Sequence, residues 1–152
     1  MTNHSADSSP RNTTETKNMK VRLSTLWVFA IFNYLYADVF TLIDPVALRQ
    51  IMTGQVGSIQ ITQGFLFGAA ILIETAIVMV LLSRVLEYRA NRWANIITGA
   101  LHTAAVILSV FLGGTTPALY YIFFATIEIV CTSLIVWYAW RWRPAAALTI
   151  GS

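Results

Sequence analysis

The sequence is poor in charge, in cysteine and in histidine, and each shortage closes a class of function. Charged residues make up 11% of the 152 positions, where soluble domains run about 25%. Most of the chain therefore cannot present a soluble surface. Cys131 is the only cysteine, which excludes an intramolecular disulfide, a cysteine-cluster metal site and a dithiol redox mechanism within one chain. Only His102 of the two histidines falls in an apolar run, so a haem held by two buried histidines is excluded. No Glu-x-x-His pair occurs, which removes a carboxylate-bridged diiron bundle. There is no glycine-rich phosphate loop, no zincin motif and no nucleophile elbow. The residues imply no cofactor and no metal, and they do not point to nucleotide or nucleic acid.

What is present is hydrophobic, 57% of the chain. Four apolar runs are each about 20 residues long, the length that crosses a bilayer as a helix. They cover residues 23–43, 62–82, 93–112 and 118–140. The first could be read as a cleaved signal peptide with Lys17, Lys20 and Arg22 as its basic head. It runs too long for that, contains Asn33 and Asp38, and lacks a small-x-small cleavage site. A retained helix is the better reading. Residues 1–20 are polar, rich in Ser, Thr and Asn, and without periodicity, and read as a disordered tail. Residues 21–143 form the membrane domain and residues 144–152 a C-terminal tail.

After the first run, Asp44-Pro45 makes an N-cap and N1 pair. It predicts a short helix from Pro45 to about Thr53, too short to span and therefore interfacial. Gly54 and Gly57 end it. Gly113 to Pro117 reads as a tight turn. The fold class is all-α, a four-helix polytopic membrane bundle with one interfacial helix between the first two spans.

The net charge of +3 is a topology signal, because the basic residues flank the runs. Arg11, Lys17, Lys20, Arg22, Arg84, Arg89, Arg92, Arg141 and Arg143 fall on one side, and only Arg49 on the other. The positive-inside rule then puts both termini in the cytoplasm. Trp27, Trp93, Trp137, Trp140 and Trp142 fall near the cytoplasmic ends, as an aromatic belt would.

Each run also carries polar residues near its middle. At a rise of 1.5 Å per residue, Asn33 lies about 15 Å and His102 about 14 Å from the cytoplasmic ends of their spans. Glu74 and Glu128 lie about 16 to 18 Å from the outer ends of theirs. In a core about 30 Å thick, all four sit near the midplane. Asp38 is about 7 Å further out. Helical spacing lines up Asn95, Gly99, His102 and Thr103 on the third span, with Ser109 beyond. On the fourth it lines up Tyr121, Ala125, Glu128 and Thr132, and on the second Gln63, Phe67, Ala70 and Glu74. In the first span Tyr34 and Asp38 share a face and Asn33 lies on another flank. These stripes should face the bundle interior, because lipid cannot satisfy them.

Polar residues in membrane bundles often act only as interhelical hydrogen-bond glue, and Asn33 and His102 alone would be read that way. Two glutamates need more, since an amide would serve as glue at lower cost. Carboxyl and imidazole groups together suit proton exchange. Glu74 and Glu128 are therefore the candidate proton-exchanging acids. His102 is a relay partner, and Asn33, Asp38 and Tyr121 line the site.

The stretches LWVFAIFNYLYADVFTLIDP (Leu26 to Pro45), RWANIITGALHT (Arg92 to Thr103) and YYIFFATIEIVCTSLIVWYAW (Tyr120 to Trp140) resemble an uncharacterised family of small bacterial four-span membrane proteins. That family is catalogued only as a domain of unknown function. The resemblance covers nearly everything after the tail and implies a four-helix inner-membrane protein without a known substrate. The layout also looks like DoxX-type four-span proteins, at fold level only. Small multidrug exporters have four short spans too, but place their essential acid in the first, whereas Glu stands here in the second and fourth. The function expected is a small proton-linked transporter or channel-like protein. The alternatives are a non-catalytic accessory subunit and a quinone-linked redox protein. The partners expected are the lipid bilayer and either a second copy or another membrane subunit.

Overall fold

A computed structural model describes residues 10–56, 59–112 and 117–143. The expected turn at 113–117 lies outside them except for Pro117, as does the C-terminal tail. The chain forms α1 (Pro10–Ile43), α2 (Pro45–Met52), β1 (Gln55–Val56), β2 (Ile59–Gln60), α3 (Gln63–Val85), α4 (Tyr88–Leu112) and α5 (Leu119–Arg141). The four long helices are each long and apolar enough to cross a membrane. The protein is an all-α, multi-pass membrane protein.

The first helix departs from the expected start. It begins at Pro10, so residues 10–20 are helical where a disordered tail was read. Proline is tolerated at a helix start because its missing N–H would go unpaired there anyway. Once the apolar part of α1 has nucleated, each added residue gains a hydrogen bond without a further nucleation cost.

The α1–α2 joint follows the sequence closely. Asp44 breaks the helix with an extended backbone and accepts from Val46 N–H at 2.9 Å. Gly54 ends the α2 segment with φ of 80°, a conformation that glycine adopts without Cβ strain. A two-stranded antiparallel ribbon follows, pairing Gln55 with Gln60 and Val56 with Ile59. Strands of two residues are too short to show a period in the sequence.

In the bundle α1 packs against α3 and α5, and α4 packs against α5 and more lightly against α3. α1 and α4 run one way, and α3 and α5 the other. Trp27–Asn95 and Tyr34–His102 rise together, whereas Asn33–Glu128 with Leu26–Cys131, and Thr75–His102 with Ser83–Asn95, run in opposite senses. The core includes Leu23, Trp27, Ala30, Ala76, Met79, Cys131, Ile135 and Ala139. It lies in the half of the bundle nearer the Arg-rich end. There α4 and α5 approach closely at Gly99, where a Cβ would come within 2.8 Å of Val136 Cγ2 and 3.4 Å of the Thr132 carbonyl.

Two tryptophans leave the expected belt. Trp27 is fully buried and donates its indole N–H to Asn95 Oδ1 at 2.8 Å. Trp142 is buried too, edge-on to Tyr88. Trp93, Trp137 and Trp140 are exposed, and Arg92 and Arg141 lie over the rings of Trp140 and Trp137 respectively.

Candidate functional site

Away from the packed end, the bundle opens into a cavity of about 280 Å³ between the four long helices. α1 contributes Tyr34 and Asp38, α4 His102 and Ser109, and α5 Tyr121 and Glu128. Ala69, Leu72 and Ile73 of α3 and Ala37, Ala105 and Val106 complete the wall. Small side chains among the larger ones contribute to this space. Four of the twelve wall residues could hardly be smaller or are short, with alanine on three of the helices.

Glu128 sits at the inner end. It is buried, and its Oε1 accepts from Asn33 Nδ2 at 3.3 Å. The same Asn33 amide also donates to the Phe124 carbonyl at 3.1 Å. Asn33 thus ties α1 to α5 and aims the carboxyl at once. Asn33 does not line the cavity itself. Asp38, one turn beyond Tyr34, is exposed and makes no hydrogen bond or ion pair among the described residues.

His102 is held at both ring nitrogens. The Tyr34 hydroxyl lies 2.9 Å from Nδ1, and Thr75 Oγ1 lies 3.0 Å from Nε2. Thr75 donates its own hydrogen to the Leu72 carbonyl at 2.6 Å. The hydroxyl can then only accept from His102, which places the imidazole proton on Nε2. Nδ1 is left to accept from Tyr34. One neutral tautomer satisfies the whole chain of bonds. At the outer end Ser109 donates to the Val106 carbonyl at 2.8 Å, so Tyr121 O–H donates to Ser109 Oγ across 2.7 Å. Outside the cavity, Tyr120 O–H reaches Asp44 Oδ2 at 3.3 Å and fixes the α1–α2 joint to the start of α5.

Of the residues singled out in the sequence, the structure brings Asp38, His102, Tyr121 and Glu128 to one cavity, with Asn33 bonded behind Glu128. Glu74 is not among them. It is exposed, does not line the cavity and has no hydrogen bond or ion pair among the described residues. The stripe of Gln63, Phe67, Ala70 and Glu74 is exposed throughout. α3 instead turns Ala76, Met79 and Ser83 inward. The polar residues that mark the inward side, Thr75 and Ser83, are short hydroxyls two turns apart, bonded to His102 and Asn95, and the longer acidic Glu74 masks that signal.

A second polar cluster lies deeper toward the Arg-rich end. Asn91 and Asn95 are fully buried. Asn95 Nδ2 donates to the Asn91 carbonyl and to its Oδ1, while its own Oδ1 accepts from Trp27 and Ser83. Asn91 Nδ2 donates to the Ser83 carbonyl at 2.7 Å. Every amide is satisfied within the cluster, which makes it structural. Asn95 is on the α4 stripe read from the sequence. Asn91 lies one turn earlier, four residues away on the same face, and that spacing was the available signal.

The chain belongs to the family of unknown function DUF6326, whose model matches residues 13–149. No curated protein and no solved structure matches it.

Proposed function

We propose that the protein is a small proton-linked membrane transporter whose cavity takes a small organic cation in exchange for a proton. The observation that carries this reading is the charge on the wall. Two carboxyls, Asp38 and Glu128, face one cavity, and no Lys or Arg lines it. His102, the one titratable nitrogen base on the wall, has both ring nitrogens engaged.

An uncompensated charge in an apolar site is costly. The charge of the site and the charge of its occupant are therefore coupled. With the cavity empty, a proton on Glu128 removes the charge. With a cation bound, the carboxylate is compensated and the proton leaves. Asn33 suits both states, since its Nδ2–H donates to Oε1 whether or not the other oxygen carries a proton. Tyr34 and Tyr121 add aromatic faces, which attract organic cations. Asp38, exposed toward the outer end, supplies a first negative group on the way in. The volume suits a solute smaller than a drug-sized ligand, for which cavities run from about 300 Å³ upward.

The basic flanks favour an orientation with the Arg-rich end, and so both termini, in the cytoplasm. On that reading the cavity opens toward the far side of a cell or inner membrane.

Calorimetric titration of the purified, lipid-reconstituted protein with tetraethylammonium tests the reading. Wild type binds, and Glu128→Gln weakens binding about tenfold or more, the effect of one charge-assisted contact. Glu74→Gln binds as wild type. Equal binding by wild type and Glu128→Gln removes the proposal, as does a wild type that takes up no cation.

A further inference from the structure

Glu74 is the central residue of α3, which runs from Gln63 to Val85, and it is exposed. An acidic side chain at the middle of a span costs roughly 2.5 to 3.5 kcal/mol if it faces lipid. No hydrogen bond or ion pair among the described residues offsets that cost.

The residues around it form a pattern. Gly64, Phe67, Ile71, Glu74, Val78, Leu81 and Val85 follow one another at spacings of three and four, and every one is exposed. That alternation is the a/d seam of a left-handed helix pair. The rest of the helix fits an open flank. All residues from Gln63 to Gly68 are exposed, so the rest of the bundle leaves the outer part of α3 unburied. A Cβ on Gly68 would meet nothing within 4 Å. Closely approaching helices in membranes favour such small residues.

We propose that α3 is the dimerisation helix of the protein, and that it pairs in parallel with α3 of a second copy through this seam. Two copies inserted in the same sense are related by an axis along the membrane normal. Such an axis preserves depth, so Glu74 meets Glu74 of the second copy. In a parallel pair, d positions face d positions in register, which gives the same contact. Two neutral carboxyls are self-complementary. Each donates its O–H to the other's carbonyl oxygen, and no other polar group is needed. Tyr36 and Asp38 of α1 are exposed as well, but they stand on another helix. The isologous contact through α3 needs only Glu74 and its own copy at one depth, which is why we assign it to the seam.

This interface is separate from the cavity, since Glu74 is not on its wall. Cysteine cross-linking in membranes tests it. In a Cys131→Ser background of the full chain, Ile71→Cys and Val78→Cys lie on the seam, and Ile73→Cys is exposed on another face. Oxidation is expected to give a disulfide-linked homodimer with the first two and not with the third. Single-molecule photobleaching in lipid vesicles then reads the dimer fraction. Glu74→Gln keeps an interhelical hydrogen bond and stays dimeric. Glu74→Leu weakens dimerisation about tenfold, the usual worth of such a bond. Equal cross-linking at residue 73, a seam cysteine that links only to another protein, or a Glu74→Leu protein as dimeric as wild type would each overturn the proposal.

Discussion

Asn33 and Glu128 join the first and last membrane helices through a bond of 3.3 Å from amide Nδ2 to carboxyl Oε1. This is the one hydrogen bond that the Glu128 side chain receives from the described residues. It holds the carboxyl at the inner end of the cavity while leaving its second oxygen to whatever the cavity contains. Because Asn33 also bonds the Phe124 carbonyl, it cannot swing away without losing two partners.

Replacing Asn33 by Leu should therefore act on both stability and the site. Lost interhelical bonds in membranes cost about 0.6 to 2 kcal/mol. Unfolding in mixed micelles should show that loss. Cation binding should weaken as well, since Glu128 is no longer oriented. Asn33→Gln, which can still donate, should recover part of the binding.

The His102 chain predicts a tautomer. Thr75 spends its hydrogen on Leu72, so His102 carries its proton on Nε2 and accepts from Tyr34 at Nδ1. Nitrogen NMR of the labelled protein should show that neutral form. Tyr34→Phe removes the donor, and its cost should be non-additive with His102→Gln, because the two residues share one bond. Additive costs, or a proton on Nδ1, would contradict the arrangement.

The buried Asn91–Asn95 cluster predicts where stability is concentrated. Asn95→Ala strands the Trp27 indole N–H in the core, which should cost about 1 to 3 kcal/mol. Trp93→Phe, on the exposed face of the same helix, should change stability by less than about 0.5 kcal/mol. Thermal melting of the two variants separates a core indole from a surface one.

At Gly99, α4 and α5 leave no room for a side chain. Gly99→Ala pushes a methyl to 2.8 Å from Val136 Cγ2. Overpacking of this kind costs about 1 to 3 kcal/mol. Trimming the neighbour with Val136→Ala should restore much of it, and a double-mutant comparison in mixed micelles reads the rescue.

Much of this arrangement was legible in the residues. Apart from the early start of α1, the four spans lie within about five residues of the helices, because a long apolar run in hydrocarbon has little alternative to a helix. Asp44-Pro45 announced its own cap. The α4 and α5 stripes faced inward, because each contains several polar or small residues one turn apart and lipid would leave them unsatisfied. The α3 stripe misled for the converse reason. Glu74 is the one ionisable residue in the middle of α3, while the side that is buried carries only the short hydroxyls of Thr75 and Ser83, and a single acid does not mark a buried face. Its orientation is set by how Ala76, Met79 and Ser83 pack, which depends on the partners on α1 and α4. Trp27 misled because position along a span predicts depth in the membrane but not which way a side chain points. Its burial depends on Asn95, 68 residues later in the chain.

The most direct test of the exchange mechanism is the proton count. Lipid-reconstituted protein in weak buffer is titrated with tetraethylammonium while released protons are measured. The account predicts a proton released with each cation bound by wild type and by Glu74→Gln, and none from Glu128→Gln. Cation binding without proton release, or unchanged release from Glu128→Gln, would contradict it.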